Sequence, residues 1–403
     1  MAVALLFFAG AMNYADRTVV SVMLPLLQKD LHLSDLQMGS IGVSFLWTYA
    51  LFMPLGGWVG DRFSRSRTIT WSFLAWTLVT LATAFVHTVP EFYATRVLMG
   101  IAECFYIPAA IALLAEHHAG STRGTAMSIH LAGVNLGLVA GGTAAGYIGQ
   151  HFGWRPVFFI FGCIGLAGAA LTSVFLTDAE PASGTLHIHR SLGASLRELS
   201  KVPTFFVQLA QAMCLAVGVW IFLNWLPLYY TETFGFSLAS SGFAGTFMPQ
   251  FSSTVGILFG GWLSDRMASR YPRRRIAIQT LFYVAAAPCL LPFLGQPSYG
   301  WASAMVFGSS LLRATGQANE DPILCDVLPN RIRATAIAMM NAGQCLTGGL
   351  GVLLAGYLKS GFGLKGVFAG IAILILTAAA ICSFGYFRTL PEDLRKRQLA
   401  NEG

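Results

Sequence analysis

Apolar stretches long enough to cross a bilayer follow one another along almost the whole of this chain. They fall near residues 3–28, 36–60, 68–88, 91–115, 123–149, 155–176, 204–230, 238–264, 276–295, 299–327, 332–358 and 364–387, and about 20 such residues suffice for one spanning helix. The pattern predicts an all-α membrane protein with twelve transmembrane helices. Composition agrees: with 55% hydrophobic and 11% charged residues and a mean hydropathy of +0.63, polar side chains are too few to coat a soluble globule of this size.

The chain is also duplicated. GGWVGDRFSRSR at 56–67 returns as GGWLSDRMASRYPRRR at 260–275, TRGTAMSIHLAG from Thr122 answers IRATAIAMMNAG from Ile332, and AGYIGQHFG from Ala145 answers AGYLKSGFG from Ala355. Six spans fall in each copy, which predicts two pseudo-symmetric six-helix bundles around a central site. The expected layout is an N-terminal bundle over 1–176, a cytoplasmic linker over 177–203, a C-terminal bundle over 204–388 and a cytoplasmic tail over 389–403. Within the linker, TDAEPASGTLHIHR reads as flexible, whereas SLGASLRELSKVP spaces its leucines as a surface-lying amphipathic helix does.

A net charge of +7 suggests nucleic acid until its distribution is considered. With alternate loops assigned to one side, the arginines of 62–67, 266–275 and 331–333, Arg123 and the basic residues of linker and tail gather together, leaving only Lys29, Arg155, Lys359 and Lys365 opposite and Arg17, Arg96 and Arg313 inside spans. Positive-inside bias then puts both termini in the cytoplasm of a multi-pass protein of the inner (plasma) membrane. The apolar N-terminus has no basic leading region and no convincing cleavage site, so it reads as the first span rather than a signal sequence. The seven cysteines lack metal-ligand spacing and read as packing residues, and His187 and His189 in the linker as solvated side chains. No phosphate-binding loop, metal-spaced histidine set or nucleophile motif is present. The chain is therefore expected to be no enzyme, to use no cofactor and to draw on an ion gradient.

Charges inside spans carry the functional signal, because a charge facing lipid costs several kcal/mol. The first span holds Asn13, Tyr14, Asp16 and Arg17; the fourth holds Arg96 and Glu103, on one face and roughly 10 Å apart along the axis. Two carboxylates and two guanidiniums in one compartment fit a proton-coupled carrier. In the second half Arg313 lies at the same offset from Glu103 as Arg333 from Arg123, which predicts that it faces the same midplane site, with Glu320, Asn341 and Gln344 as further polar residues in apolar runs. Each has a plainer reading: Asp16 and Arg17 as a buried pair orienting the helix, Arg96 with Glu103 as a fixed bridge, Tyr14 and Tyr49 as packing aromatics. In the loop after the second span, Gly56, Gly57 and Gly60 are expected to let helices approach closely. Asp61 sits at a helix C-terminus, where it needs a cation. Arg62, Arg65 and Arg67 supply one, and Gly261, Asp265 and Arg266 repeat the arrangement, which suits a gate.

Gly57, Asp61, Arg62 and Arg67, their echo at Gly261, Asp265 and Arg266, and RVLMG at 96–100 resemble the signature loops of the major facilitator superfamily, over nearly the whole chain. Ser64 stands where that family usually has glycine, and GLVAGGTAAG from Gly137 lacks the proline of the family's antiporter motif, which tilts the resemblance toward proton symport. NYADR at 13–17 with RVLMGIAE at 96–103 is similar to the anion:cation symporter family, whose members move sugar acids, hexuronates and related organic anions with protons. That resemblance implies protonation at Asp16 and Glu103, substrate carboxylate at Arg17, coupling of Arg96 with Glu103, and Tyr14 and Tyr49 flanking the substrate. The expected partners are a small organic anion, a proton and the lipid bilayer, for a monomer that binds no nucleic acid. The same motifs also resemble Spinster-like lipid transporters, which makes export of a lysolipid or similar amphiphile the alternative.

Overall fold

The computed structural model describes residues 1–118, 123–178, 192–268, 271 and 273–402. Its helices are α1 (Ala2–Leu31), α2 (Asp35–Arg62), α3 (Arg65–Thr83), α4 (Val89–Glu103), α5 (Tyr106–His117), α6 (Arg123–Phe152), α7 (Trp154–Phe175), α8 (Leu192–Leu199), α9 (Pro203–Phe234), α10 (Leu238–Ala268), α11 (Arg273–Ala286), α12 (Tyr299–Gln317), α13 (Glu320–Val327), α14 (Asn330–Phe384) and α15 (Leu390–Glu402). Among the described residues there is no strand. Every predicted span has a helical counterpart. The fourth is α4 and α5 broken at Cys104 and Phe105, the tenth is α12 and α13 broken at Ala318 and Asn319, and the ninth is α11 continued by a 3-10 segment, Ala287–Leu294. Seven helical stretches, from Asp35–Gly60 to Thr335–Arg397, are by length and composition alone long and apolar enough to cross a membrane. Leu51 and Leu258 are 73% and 70% exposed, as lipid-facing side chains are. The expected amphipathic stretch forms α8, while His187 and His189 lie outside the described residues.

The starts and stops follow local chemistry. Ser34 and Gln37 close a capping box on α2, and Thr88 and Glu91 another on α4. The duplicated AGYIGQHFG and AGYLKSGFG motifs end in glycines with the same unusual backbone: Gly153 at φ 83°, ψ 174° separates α6 from α7, and Gly363 at φ 66°, ψ 168° separates the two arms of α14. Only glycine occupies that region without strain. Neither has a neighbour within reach of a β-carbon, so Gly153→Ala and Gly363→Ala are expected to act through backbone strain alone. Each should destabilise the protein by about 1–3 kcal/mol in thermal unfolding in detergent; a change below about 0.5 kcal/mol, the usual size for a neutral surface substitution, would contradict this.

Ser64, in place of the usual glycine, has a negative φ and caps α3 by accepting from the Arg67 amide, so the turn does not need glycine. Its hydroxyl also donates to Asp178, which accepts from the Ser66 amide as well. Burial works against charge on Asp178, but these hydrogen bonds outweigh it and hold the carboxyl below its ordinary pKa.

By contact density the described residues divide into two compact units. The first draws on Met1–Gly184, Ile221–Phe247 and Val352–Gly361, the second on Thr185–Trp220, Met248–Gly351 and Phe362–Gly403. In the first, α1 lies on α6 backbone to backbone: a β-carbon on Gly133, Gly137 or Gly141 would overlap Phe7, Ala11 or Ala15. Small residues every fourth position permit that approach. With α1 held in this way, Arg17 reaches α4.

Candidate transport site

The charges of α1 and α4 meet in the first unit. Arg17 donates through Nε to Oε2 of Glu103 at 2.9 Å, and its Nη2 lies 2.9 Å from the same oxygen and 3.2 Å from Oδ1 of Asn13. The Arg17 side chain is 5% exposed and that of Glu103 is 0%. The guanidinium is held between aromatic faces, 4.5 Å from the Tyr14 centroid, 4.6 Å from Tyr49 and 5.1 Å from Phe45. Weakly hydrated and flat, a guanidinium suits such a slot better than an ammonium.

Asp16, one residue away on α1, is buried, within electrostatic range of Glu103 and Arg96 and beside Thr80, yet neither carboxyl oxygen makes a hydrogen bond of normal geometry. The Thr80 hydroxyl is already committed to the Trp76 carbonyl. Oε1 of Glu103 is likewise unsatisfied. Unmet acceptors on two buried carboxyl groups are costly.

Arg96 makes no direct bridge to Glu103, although the two share a helix face. Arg96 donates to Thr83 Oγ1 at 3.3 Å and lies over Phe92 and Phe158, and the bond to Glu103 comes from Arg17. Arg96 is held toward α3 and α7 and acts on Glu103 and Asp16 through space.

In the second unit Arg313 donates to Gln317 and to Ser253 Oγ, the latter at 3.1 Å. Glu320 accepts from Gln211 at 3.0 Å, and Gln211 leads through Gln208 to Gln279 and Tyr283 in a buried polar chain. The offset that made Arg313 the counterpart of Glu103 does not match the helix breaks. Glu103 ends α4 whereas Gln317 ends α12, so Arg313 sits about one turn before the equivalent point. On α14, Asn341 is exposed and Gln344 half-buried, one turn apart. The seven cysteines are free thiols, and no group of three or more metal-ligating side chains occurs among the described residues.

The sequence profile described as Major Facilitator Superfamily matches residues 6–319 and 250–403. The chain belongs to that superfamily. It is 25% identical to the probable galactarate/D-glucarate transporter GudP of Escherichia coli (strain K12), over 98% of this chain and 94% of that protein. It is 26% identical to the hexuronate transporter of Bacillus subtilis (strain 168), over 95% and 92%. Among solved structures it is similar in fold to a bacterial homolog of the human lysosomal transporter Spinster in an inward-facing, unoccupied conformation, at TM-score 0.85 and 20% identity over 97% of both chains. The chain is thus a multi-pass membrane transporter of the facilitator kind, not an enzyme.

The superfamily's signature loops are built differently from the expectation in one respect. Gly57 and Gly261 face open space; the glycines on which helices cross are their neighbours, Gly56 against the Cys104 carbonyl and Gly260 against the Thr315 carbonyl. Arg62 lies 5.4 Å over Trp58 and Arg266 5.7 Å over Trp262, a repeated cation–π pair. Asp265 is 3.8 Å from Arg275, which also reaches Asp326 at 3.3 Å, and Arg65 pairs with Glu116. The Asp61 side chain lies outside the described residues.

One cluster escaped the sequence reading. Lys359 on α14 bridges Asp35, the first residue of α2, and Glu232 on α9, at 2.8 Å each. The partners are 324 and 127 positions away, so no local pattern reveals them; the only hint is that Lys359 is one of few cations on its side. Lys359→Met leaves two carboxylates facing each other. Because Asp35 and Glu232 are 26% and 41% exposed, the effect should be modest, up to about 1 kcal/mol. It should appear as faster amide exchange at the start of α2 and around 352–361 of α14; unchanged exchange in both segments would show that the bridge holds nothing shut.

Proposed function

We propose that this transporter is a proton-coupled symporter that takes up an organic anion, a sugar acid or small carboxylate, by alternating access. Glu103 and Asp16 carry the proton, and Arg17 binds the anion. The single observation behind this is that Glu103 already occupies Arg17. A substrate carboxylate and the Glu103 carboxylate want the same guanidinium, and side by side they repel. A proton on Glu103 removes both obstacles, so proton and anion bind together. Tyr14 and Tyr49 flank the position where the anion would sit. Arg96 adds positive potential, and Arg313, Asn341 and Gln344 are the candidate contacts from the second half.

The names of the relatives, galactarate/D-glucarate and hexuronate transporters, support the substrate class. The rest of the proposed layout is two six-helix bundles over 1–176 and 204–388, both termini cytoplasmic and a monomer as working unit. Gly57, Asp61, Arg62, Arg67, Gly261, Asp265 and Arg266 serve as the cytoplasmic gate. The test is a thermal-shift screen of sugar acids, small carboxylates and lysolipids at two pH values, followed by uptake into proteoliposomes. A stabilising sugar acid whose effect is larger at the lower pH and disappears in Arg17→Ala is expected. Stabilisation by lysolipid alone would replace the reading with amphiphile export.

A further inference from the structure

A cleft of about 700 Å³ opens on the first unit between the end of α2, the length of α3 and the end of α4, with Phe63, Ser64 and Arg67 at one end and Val79 and Leu98 at the other. It faces outward: Trp71 is 67% and Leu98 51% exposed. Its polar groups make no demand on an occupant. Thr68 donates to the Ser64 carbonyl, Ser72 to the Ala102 carbonyl and Ser64 to Asp178, which leaves an apolar trough. Arg67 at its mouth is exposed and, among the described residues, its guanidinium has no acidic partner; the neighbouring Arg65 has Glu116 and Arg62 has Trp58. From Arg67 to Val79 is about 18 Å of helix, close to the depth of one leaflet of a hydrocarbon core about 30 Å thick.

We infer that this cleft is a binding site for an anionic glycerophospholipid, one acyl chain lying in the trough and the headgroup phosphate on Arg67. The charge at the mouth selects the class: an apolar slot of leaflet depth takes any chain, but a guanidinium without an acidic partner among the described residues favours a headgroup of net negative charge, by about 1 kcal/mol. The cleft is lined by neither Arg17 nor Glu103.

The test is native mass spectrometry of the full chain in detergent with equimolar phosphatidylglycerol and phosphatidylcholine. Wild type and Arg67→Lys are expected to retain phosphatidylglycerol in preference, and Arg67→Ala to lose that preference about fivefold. Ala75→Trp, which fills the trough without touching the charge, is expected to lower retention of both lipids. The inference is overturned if Arg67→Ala keeps the preference, if Ala75→Trp retains both lipids as wild type does, or if millimolar inorganic phosphate alone displaces the lipid, which would make this a simple anion site.

Discussion

Proteoliposomes carrying Glu103→Gln are expected to equilibrate the anion but not to accumulate it. Glutamine keeps the shape and a weaker acceptor for Arg17 but cannot alternate between charged and neutral, so a pH gradient has nothing to act on. If one proton accompanies one monoanion, the wild type moves no net charge. It should then accumulate substrate about tenfold per pH unit, since a unit of pH is worth about 1.4 kcal/mol, and should not respond to membrane potential. In Glu103→Gln the ratio falls to about one, while exchange of labelled for unlabelled anion persists. Binding adds a second signature. Wild-type affinity should weaken as pH rises, because ionised Glu103 reclaims Arg17, and the variant should bind with no such slope. Asp16→Asn should share the loss of accumulation. Full gradient-driven accumulation in both variants would remove the coupling mechanism.

Taking away the guanidinium has the opposite pattern. Arg17→Ala strands the fully buried Glu103 carboxylate, and breaking a buried pair from one side costs about 3–5 kcal/mol, so the variant should melt well below wild type in detergent. Anion binding should fall by a hundredfold or more, the scale for truncating a buried charge partner. The double variant Arg17→Ala with Glu103→Gln should regain most of the stability and none of the binding. Stability and binding recovered together, or binding lost in neither, would show that the pair is structural. Arg17→Lys keeps the charge but loses the paired donors and the stacking between Tyr14 and Tyr49, and should lie between wild type and alanine in both measurements.

What the sequence made legible follows from what is local or repeated. The spans were visible because each is a contiguous apolar run, and the matching turns at Gly153 and Gly363 because the motifs ending in them recur. The charged residues of α1 and α4 stood out because a charge in an apolar run needs a reason. Their pairing did not. Arg96 and Glu103 share a helix face, which made them natural partners on paper, but Glu103 ends α4 at the break and turns toward Arg17, while Arg96 is held between Thr83 and the rings of Phe92 and Phe158. Gly57 groups with Gly56 as a close-approach position because two adjacent glycines look alike in sequence and only the crossing helix tells them apart. Lys359 with Asp35 and Glu232 is a meeting of chain segments that share no local signal.

Next to that lysine, α2 meets α14 at Gly39 and Gly356, and α6 meets α10 at Gly146 and Gly242, with main chain lying against main chain. At those glycines there is no side chain of their own to unthread. Parting the main chains there requires little rotamer rearrangement, unlike prying open a core of leucines and phenylalanines, where each knob must leave its socket. Main chain against main chain beside an ionic bridge is a join that the proposed alternating-access cycle could part and re-form along the same path.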